Sequence, residues 1–261
     1  MNNIIYKYRD WEDVYHKKVL KENSLFLASP KSFNDPFDCK IPDNILSIDT
    51  DEKKEKYITN FIKSVKSLGE DKTNDFTNKL RDTLTNDLSG FHKRLELAKY
   101  KSNDEKYGVI SFSEKWDNVL MWSHYARNHK GFSVGYYKDK IISSKIFSIT
   151  GKVNYDQNHK FPNIDPLLGI WDKAIINCLS KSKDWEYEQE YRALKNFCPL
   201  IPKVKDRIIK IPDDYIAEII LGYDICEEHE SEIKEIAKNR NIPIYKITKV
   251  PGLFKLDRQV L

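Results

Sequence analysis

The sequence predicts a single α+β domain over residues 1–261, with its helices segregated from its strands. Short segments of strand-like composition occur near the start of the chain and throughout its second half. One long block, residues 51–105, has its apolar residues at helical spacing instead. No apolar run approaches the length that spans a bilayer, so the composition excludes a transmembrane protein.

The first elements are predicted from the N-terminal residues. Residues 4–9 form a strand, and Asp10 then caps a helix that runs to about residue 21. Residues 24–28 form a second strand. The sequence Asn34-Asp35-Pro36 forces a turn after it, because proline restricts the residue that precedes it.

The block of residues 51–105 predicts a helical hairpin inserted into a β-rich body. Its apolar residues fall into two groups at helical spacing, one from Tyr57 to Leu68 and one from Phe76 to Leu95. The other positions are mostly charged or polar, so most of the hairpin faces solvent. A plain packing subdomain and a lid that binds a target are both compatible with this pattern.

The second half of the chain supplies most of the predicted sheet. A helix over residues 226–239 precedes the last strand, and Pro243 indicates that this strand lies at an edge or begins late. The predicted strands cover residues 108–113, 132–137, 146–155, 187–194, 207–211, 215–221 and 242–248.

Charge and cysteine content narrow the function classes. Lysine and arginine total 44 against 40 acidic residues, a net charge of +4, which permits nucleic-acid binding without requiring it. The four cysteines are far apart and form no CxxC pair, which argues against a zinc knuckle or a disulfide framework. With no signal peptide at the N-terminus, we expect a cytoplasmic protein without membrane partners.

Two strands carry candidate binding residues. Arg9 lies at the end of the first predicted strand, where its planar guanidinium suits a phosphate or carboxylate. Lys7 shares its strand face. Ser111 and Ser113 share one face of a later strand, where two hydroxyls could hold a ribose or support neighbouring backbone.

Two further segments are rich in aromatic and titratable groups. Trp122 and Tyr125 lie in an aromatic segment and could stack on a planar heterocycle, although core packing explains them equally well. On the predicted strand of residues 187–194, Glu186, Glu188 and Glu190 share a face. A carboxylate pair beside a cleft could stabilise a cationic transition state or act as a general base, whereas a solvated face is the plain alternative.

Four ordered motifs resemble an uncharacterised bacterial family. That family is marked by the signatures NDPFD, SFSE, MWSHYA and YExEYR, and the resemblance itself implies no activity. The matching residues of this sequence are Asn34–Asp38, Ser111–Glu114, Met121–Ala126 and Tyr187–Arg192.

The order of Arg9, the Ser-x-Ser pair and the Glu-x-Glu pair is also similar to the arginine–serine–glutamate class of ADP-ribosyltransferases. This resemblance implies a pair of β-sheets that form a cleft, with NAD as the substrate. It also implies that Arg9 binds the phosphates or a ribose of NAD. Ser111 would contact the nicotinamide ribose, and Ser113 would support the strand.

The same resemblance assigns the acidic and aromatic residues. Glu190 would accept a hydrogen bond from the nicotinamide ribose, and Glu188 would orient or deprotonate the acceptor. Tyr125 or Trp122 would stack on the nicotinamide. Breaking the bond between nicotinamide and ribose passes through an oxocarbenium-like state, which a fixed carboxylate stabilises.

We therefore predict an NAD-dependent ADP-ribosyltransferase, a bacterial toxin or phage-defence effector that modifies a macromolecule. The basic balance favours RNA or DNA over protein as the acceptor, and by analogy a toxin requires an antitoxin protein. A metal-dependent nuclease using Asp35, Asp38, Glu188 and Glu190 is one alternative, although the usual catalytic lysine is missing after Glu190. A non-catalytic binding module is the other.

Overall fold

The structure is a computed structural model that describes residues 3–64 and 70–261. Its described part is an α+β fold in which an eight-stranded sheet is accompanied by helices and by two small sheets. The strands are β1 Ile4–Arg9, β2 Ser24–Phe26, β3 Tyr107–Ser113, β4 Phe132–Tyr137, β5 Ile149–Lys152, β6 Asn154–Asp156, β7 Ser180–Ser182, β8 Glu190–Asn196, β9 Ile208–Lys210, β10 Ile216–Leu221, β11 Ile244–Lys249 and β12 Leu256–Val260.

The α-helices lie mainly in the first half of the chain. None of those in the described ranges combines the length and the apolar character that crossing a bilayer demands. Their bounds are α1 Val14–Lys21, α2 Asp51–Ser64, α3 Glu70–Asn86, α4 Leu88–Lys106, α5 Val119–Tyr125, α6 Lys138–Ser143, α7 Ile170–Cys178 and α8 Glu227–Asn239.

The large sheet has the strand order β12-β11-β10-β4-β1-β3-β8-β5, and it is joined weakly at its middle. Strand β1 pairs with β4 along its whole length, from Ile4↔Tyr137 to Arg9↔Phe132. In contrast, β1 pairs with β3 only at Tyr6↔Ser113. The predicted pair of sheets is thus replaced by one sheet, whose five-stranded and three-stranded parts meet at a single residue pair.

Strand β1 buries both of its faces. Ile5 belongs to a core cluster to which α1, α8 and the small β2–β9 sheet contribute. Tyr6 and Tyr8 point the other way and pack with Trp122 of α5. Because side chains alternate along a strand, Lys7 and Arg9 share the face of Ile5.

The described residues of the inserted block form three helices, one more than the predicted hairpin has. Asp87 ends the helical register after α3 and caps α4, where its side chain accepts a hydrogen bond from the amide of Gly90. The helices bury Tyr57 and Leu84 in a separate cluster with Ile45. The end of the first predicted helix, at residues 65–68, lies outside the described residues.

Two other predicted elements begin at different residues in the structure. Helix α1 begins after Asp13, not Asp10, because the Asp13 carboxylate accepts the amides of Tyr15 and His16. Strand β11 begins late, directly after Pro243, as the proline indicated. The edge position belongs to β12, which the sequence did not predict.

Candidate active site

A cavity of about 630 Å³ lies where β1 and β3 diverge. Its walls come from both parts of the sheet, from α1 and from the β2–β9 sheet. Six of the seven predicted site residues line it, although three distant stretches of the chain supply them. They are Arg9, Ser111, Ser113, Tyr125, Glu188 and Glu190.

Trp122 is the exception, because it does not line the cavity. Its side chain is fully buried, and its ring meets that of Tyr8 edge-on with the centroids 5.1 Å apart. The indole nitrogen donates to the backbone oxygen of Trp116 at 2.7 Å. The ring is therefore a core element that packs behind β1, and Tyr125 is the aromatic residue at the cavity.

Arg9 brings a positive charge to the cavity wall. No acidic side chain in residues 3–64 or 70–261 forms an ion pair with it, and its buried Nε has no hydrogen-bond partner. Its Nη1 has a long contact, 3.4 Å, to the backbone oxygen of Tyr8. Burial lowers the pKa of Arg9 to about 10, which leaves the guanidinium protonated at neutral pH.

Lys7 lies beside Arg9 on the same strand face and also lines the cavity. Its Nζ donates to the backbone oxygen of Ser111 at 2.6 Å, across the gap between β1 and β3. Burial and then the charge of Arg9 hold the pKa of Lys7 well below its usual value. Among the described residues it has no ion pair either, so neither Lys7 nor Arg9 is bonded to a carboxylate, and the charge of Asp13 acts on Arg9 without direct contact.

The two serines support the acidic end. The Ser113 hydroxyl donates to the backbone oxygen of Glu188 at 2.7 Å and accepts from the amide of Lys115 at 3.1 Å. Ser113 therefore fixes the backbone that carries Glu188. The Ser111 hydroxyl hydrogen-bonds the carboxylate of Glu190 and helps to lower its pKa.

The three glutamates do not share a strand face, so that prediction is wrong. Residues Lys183–Glu188 form a 3₁₀ helix, and β8 begins only at Glu190. Gln189 between them is left-handed, with a φ of 41°, and turns the chain. As a result Glu186 is exposed, whereas Glu188 and Glu190 are both buried and converge from different directions.

Lys181 of β7 is the cation on which these carboxylates converge. Its Nζ lies 2.5 Å from Glu188 Oε2, 3.3 Å from Glu190 Oε2 and 3.8 Å from Asp38 Oδ2. Burial alone would lower the pKa of Lys181, but Glu190 and Glu188 raise it above its usual value. The ammonium therefore stays charged and ties the two glutamates together.

Arg192 completes the network, and all five of its N–H groups have acceptors. Nε and Nη2 donate to Glu190 at 2.6 and 2.8 Å. Nη1 and Nη2 donate to Asp38 at 2.6 and 2.5 Å, and Nη1 also donates to the backbone oxygen of Cys178. Burial would raise the pKa of Glu190, but Arg192 and Lys181 lower it to about 2.

The two ends of the cavity therefore differ in charge. At one end, the formal charges of three buried carboxylates outnumber those of Lys181 and Arg192 by one. At the other end stand Lys7 and Arg9. His16 lines this second end, where burial and then the charge of Arg9 lower its pKa to about 4.

Tyr125 links the cavity to the acidic end. Its hydroxyl donates to Glu188 Oε1 at 2.6 Å, and Asn34 Nδ2 lies 3.4 Å from the same hydroxyl. Burial and the charge of Glu188 raise the pKa of Tyr125, so the phenol remains a donor at neutral pH. This contact joins the motif of residues 34–38 to the motif of residues 121–126.

The carboxylates proposed for a metal-dependent nuclease are not arranged around an open cation site. Lys181 occupies the space between Asp38, Glu188 and Glu190 that a divalent cation would need. Asp35 does not line the cavity, and its Oδ1 accepts the amide of Phe37 in its own turn. No group of three His, Cys, Asp or Glu side chains in the described ranges is placed to hold a metal ion.

Sequence reasoning missed four contributors to the site: Lys7, Asp38 in its ion-pairing role, Lys181 and Arg192. Lys181 alternates with Ser180 and Ser182, a polar pattern that is typical of a solvated strand. Arg192 ends the fourth motif. Its place between Tyr191 and Ala193, two residues after Glu190, was the available signal for a buried ion pair.

Comparison with known proteins adds one match. The model of a family described as a protein of unknown function (DUF2971) matches residues 121–193. No curated protein and no solved structure matches the chain. The matched stretch runs from α5 into β8 and includes Tyr125, Lys181, Glu188, Glu190 and Arg192. Over these residues, which carry the acidic end of the cavity, the chain is similar to the DUF2971 family.

Proposed function

We propose that the protein is an NAD-dependent ADP-ribosyltransferase. The observation that carries the proposal is the convergence of Arg9, Ser111 and Glu190 on one cavity, from strands that are distant in sequence. The single residue pair between β1 and β3 supports it as well, because the two strands diverge there and both line the cavity. We propose an ADP-ribosyltransferase-like arrangement for the two parts of the sheet on these grounds.

The polarity of the cavity fits the two ends of NAD. The diphosphate is anionic and would lie by Arg9, whereas the nicotinamide ribose would lie by the carboxylates. Nicotinamide departs with the electron pair of its bond to ribose, and positive charge then develops on the sugar. The excess negative charge near Glu188 and Glu190 stabilises this state more than the ground state.

Glu190 and Glu188 would have different roles in the reaction. Arg192, Lys181 and Ser111 already donate to Glu190, which fills the four acceptor positions of a carboxylate. Glu190 would therefore act as a fixed charge. Among residues 3–64 and 70–261, the side chain of Glu188 accepts from Tyr125 and Lys181 alone, so it retains positions for a ligand hydroxyl.

Glu188 would then act on the acceptor. It would take the proton of the attacking hydroxyl or amine as the new bond to ribose forms. Water in the acceptor's place would give simple NAD hydrolysis. We propose a macromolecular acceptor, with nucleic acid favoured over protein by the net charge of +4. A toxin or phage-defence role, with a neutralising antitoxin, extends the proposal by analogy.

The test uses the purified protein, NAD labelled in its adenylate part, and a bacterial lysate. Release of nicotinamide and transfer of label are both measured. Digestion of the products with ribonuclease, deoxyribonuclease or protease identifies the acceptor. We expect Glu188→Gln to lower nicotinamide release by about 10²–10³-fold.

Glu186→Gln is the matched control, because Glu186 is an exposed glutamate two residues away. It should leave the rate unchanged. Absence of nicotinamide release from the wild-type protein, with and without lysate, would contradict the proposal. Full biological activity of an Arg9→Ala, Glu190→Ala double variant would support a non-catalytic binding module instead.

A further inference from the structure

Lys7 and Arg9 are two basic side chains that occupy alternate positions of one strand and line one cavity. Alternate residues on a strand lie about 7 Å apart and point to the same side. Neither side chain forms an ion pair with any acidic side chain among the residues that the structure describes. Buried charges in proteins are normally paired, so two neighbouring basic side chains without ion-pair partners indicate a place for an anionic ligand.

The environment of Lys7 places it between the two ends of the cavity. Along β1 it follows Tyr6, which pairs with Ser113 of β3, and Ser113 in turn pairs with Glu190 of β8. Lys7 is thus nearer than Arg9 to the carboxylates along the strand. Within the described part of the chain its Nζ has one hydrogen bond, to the Ser111 carbonyl, whereas an ammonium group has three donors.

The cavity also has an apolar wall. Phe26 of β2 and Ile208 of β9 are paired in register, and both line the cavity while part of their surface remains exposed. Tyr15 of α1 lines the same cavity. An apolar wall with an aromatic edge fits a nucleoside base, so that phosphates attached to that nucleoside would meet Arg9 and Lys7.

We propose that Lys7 is a specificity-determining residue, which together with Arg9 selects ligands that carry two linked phosphate groups. This inference rests on the proposed function, because it assigns the diphosphate of NAD to both side chains. One phosphate group can engage one cation fully, whereas a diphosphate extends across both. Lys7 would contact the phosphate nearer the carboxylates, and Arg9 the phosphate nearer the apolar wall.

The test is a binding measurement, by calorimetry, with ADP-ribose, AMP and adenosine. ADP-ribose has the diphosphate of NAD but no bond to nicotinamide, so binding is measured without catalysis. We expect Lys7→Gln to weaken ADP-ribose binding by roughly 10- to 100-fold, the effect of losing a charge-assisted hydrogen bond. AMP binding should change several-fold less, and adenosine binding should not change.

Two further variants serve as controls. Lys7→Arg retains the positive charge and should retain most of the affinity for ADP-ribose. Lys238→Gln removes an exposed lysine of α8 and should have no effect. Circular dichroism and thermal unfolding show whether Lys7→Gln is folded. If it is not folded, the comparison of Lys7→Arg with Lys7→Met in the presence of ADP-ribose replaces it.

The outcomes separate this inference from the proposed function. Equal weakening of all three ligands in Lys7→Gln, or unchanged binding of ADP-ribose, overturns the role of Lys7. Selective weakening of ADP-ribose supports it. If that selectivity is found but wild-type protein releases no nicotinamide from NAD, the subsite stands and the transferase proposal fails.

Discussion

Arg192 holds both carboxylate oxygens of Glu190, two residues away on the same strand, with Nε and Nη2 at 2.6 and 2.8 Å. The pair is buried, and the same guanidinium also donates a hydrogen bond to Asp38. This fixes the orientation of Glu190 through a planar group that cannot lose its charge. The motif of residues 34–38 and the strand β8 are thereby tied together beneath the cavity.

Replacing Arg192 with lysine should be strongly destabilising. Lysine keeps the charge but cannot bridge two carboxylates, so buried acceptors lose their donors. We expect Arg192→Lys to lower the free energy of unfolding by about 2–4 kcal/mol, measured by urea denaturation. Arg94→Lys is the control, since Arg94 makes an exposed ion pair with Asp87 and should change stability by less than about 0.5 kcal/mol. Equal losses in the two variants would contradict the buried role of Arg192.

The acid stability of the protein should depend on Glu190. Its pKa is about 2 in the folded protein, against an ordinary value of 4.5, so the unfolded chain takes up this proton first as the pH falls. The stabilisation is complete above about pH 4.5 and is lost as the pH falls towards 2. Urea unfolding at a series of pH values should show a smaller pH dependence in Glu190→Gln, by up to about 1.4 kcal/mol per pH unit. The same slope in both proteins would show that Glu190 is not held ionised.

Tyr125 should contribute to the rate through Glu188. Tyr125→Phe removes the hydroxyl that donates to Glu188 Oε1 at 2.6 Å and leaves the ring in place. If the proposed function holds, nicotinamide release should fall by about 10- to 100-fold with unchanged unfolding behaviour. Tyr223→Phe, at a half-exposed tyrosine outside the cavity, should leave the rate unaltered. Identical rates for wild type and Tyr125→Phe would remove Tyr125 from the site.

Gly131 controls the position of the end of β1. A Cβ atom at this residue would lie 2.1 Å from the backbone oxygen of Arg9, and backbone cannot rotate away. Gly131→Ala should therefore lower the free energy of unfolding by about 1–3 kcal/mol and weaken ADP-ribose binding, because Arg9 is displaced. At Gly169 the nearest neighbour is a side-chain oxygen of Asp172 at 3.0 Å, so Gly169→Ala serves as the control. Binding that is unaffected in Gly131→Ala would indicate that Arg9 tolerates the shift.

Much of the fold could be predicted from the local pattern of apolar and polar residues in the sequence. Strand β4 is found over residues 132–137 as predicted, because its alternating and aromatic residues are buried on both faces. Helix α8 begins within one residue of its prediction. The third helix of the inserted block was missed because its boundary depends on one capping residue, Asp87, inside a continuous helical pattern.

The candidate site could be predicted only in part, for a physical reason. Arg9, Ser111 and Glu190 were proposed from residue type and order, and the structure places all three at one cavity. Lys181 could not be found in this way, because a lysine between serines has the composition of a solvated strand. Its role arises from three carboxylates that only the tertiary fold brings within 4 Å of its Nζ.

The single pair Tyr6↔Ser113 between β1 and β3 leaves the facing main-chain groups of these two strands unpaired with each other along the rest of their length. Lys7 satisfies one of them, the carbonyl of Ser111, with its side chain. Val109 of β3 pairs instead with Ala28, through backbone hydrogen bonds of 2.8 Å in both directions. Between this bridge and the ladder pair, the Lys7 side chain connects the two parts of the sheet, so its replacement would remove a cross-link as well as a basic group.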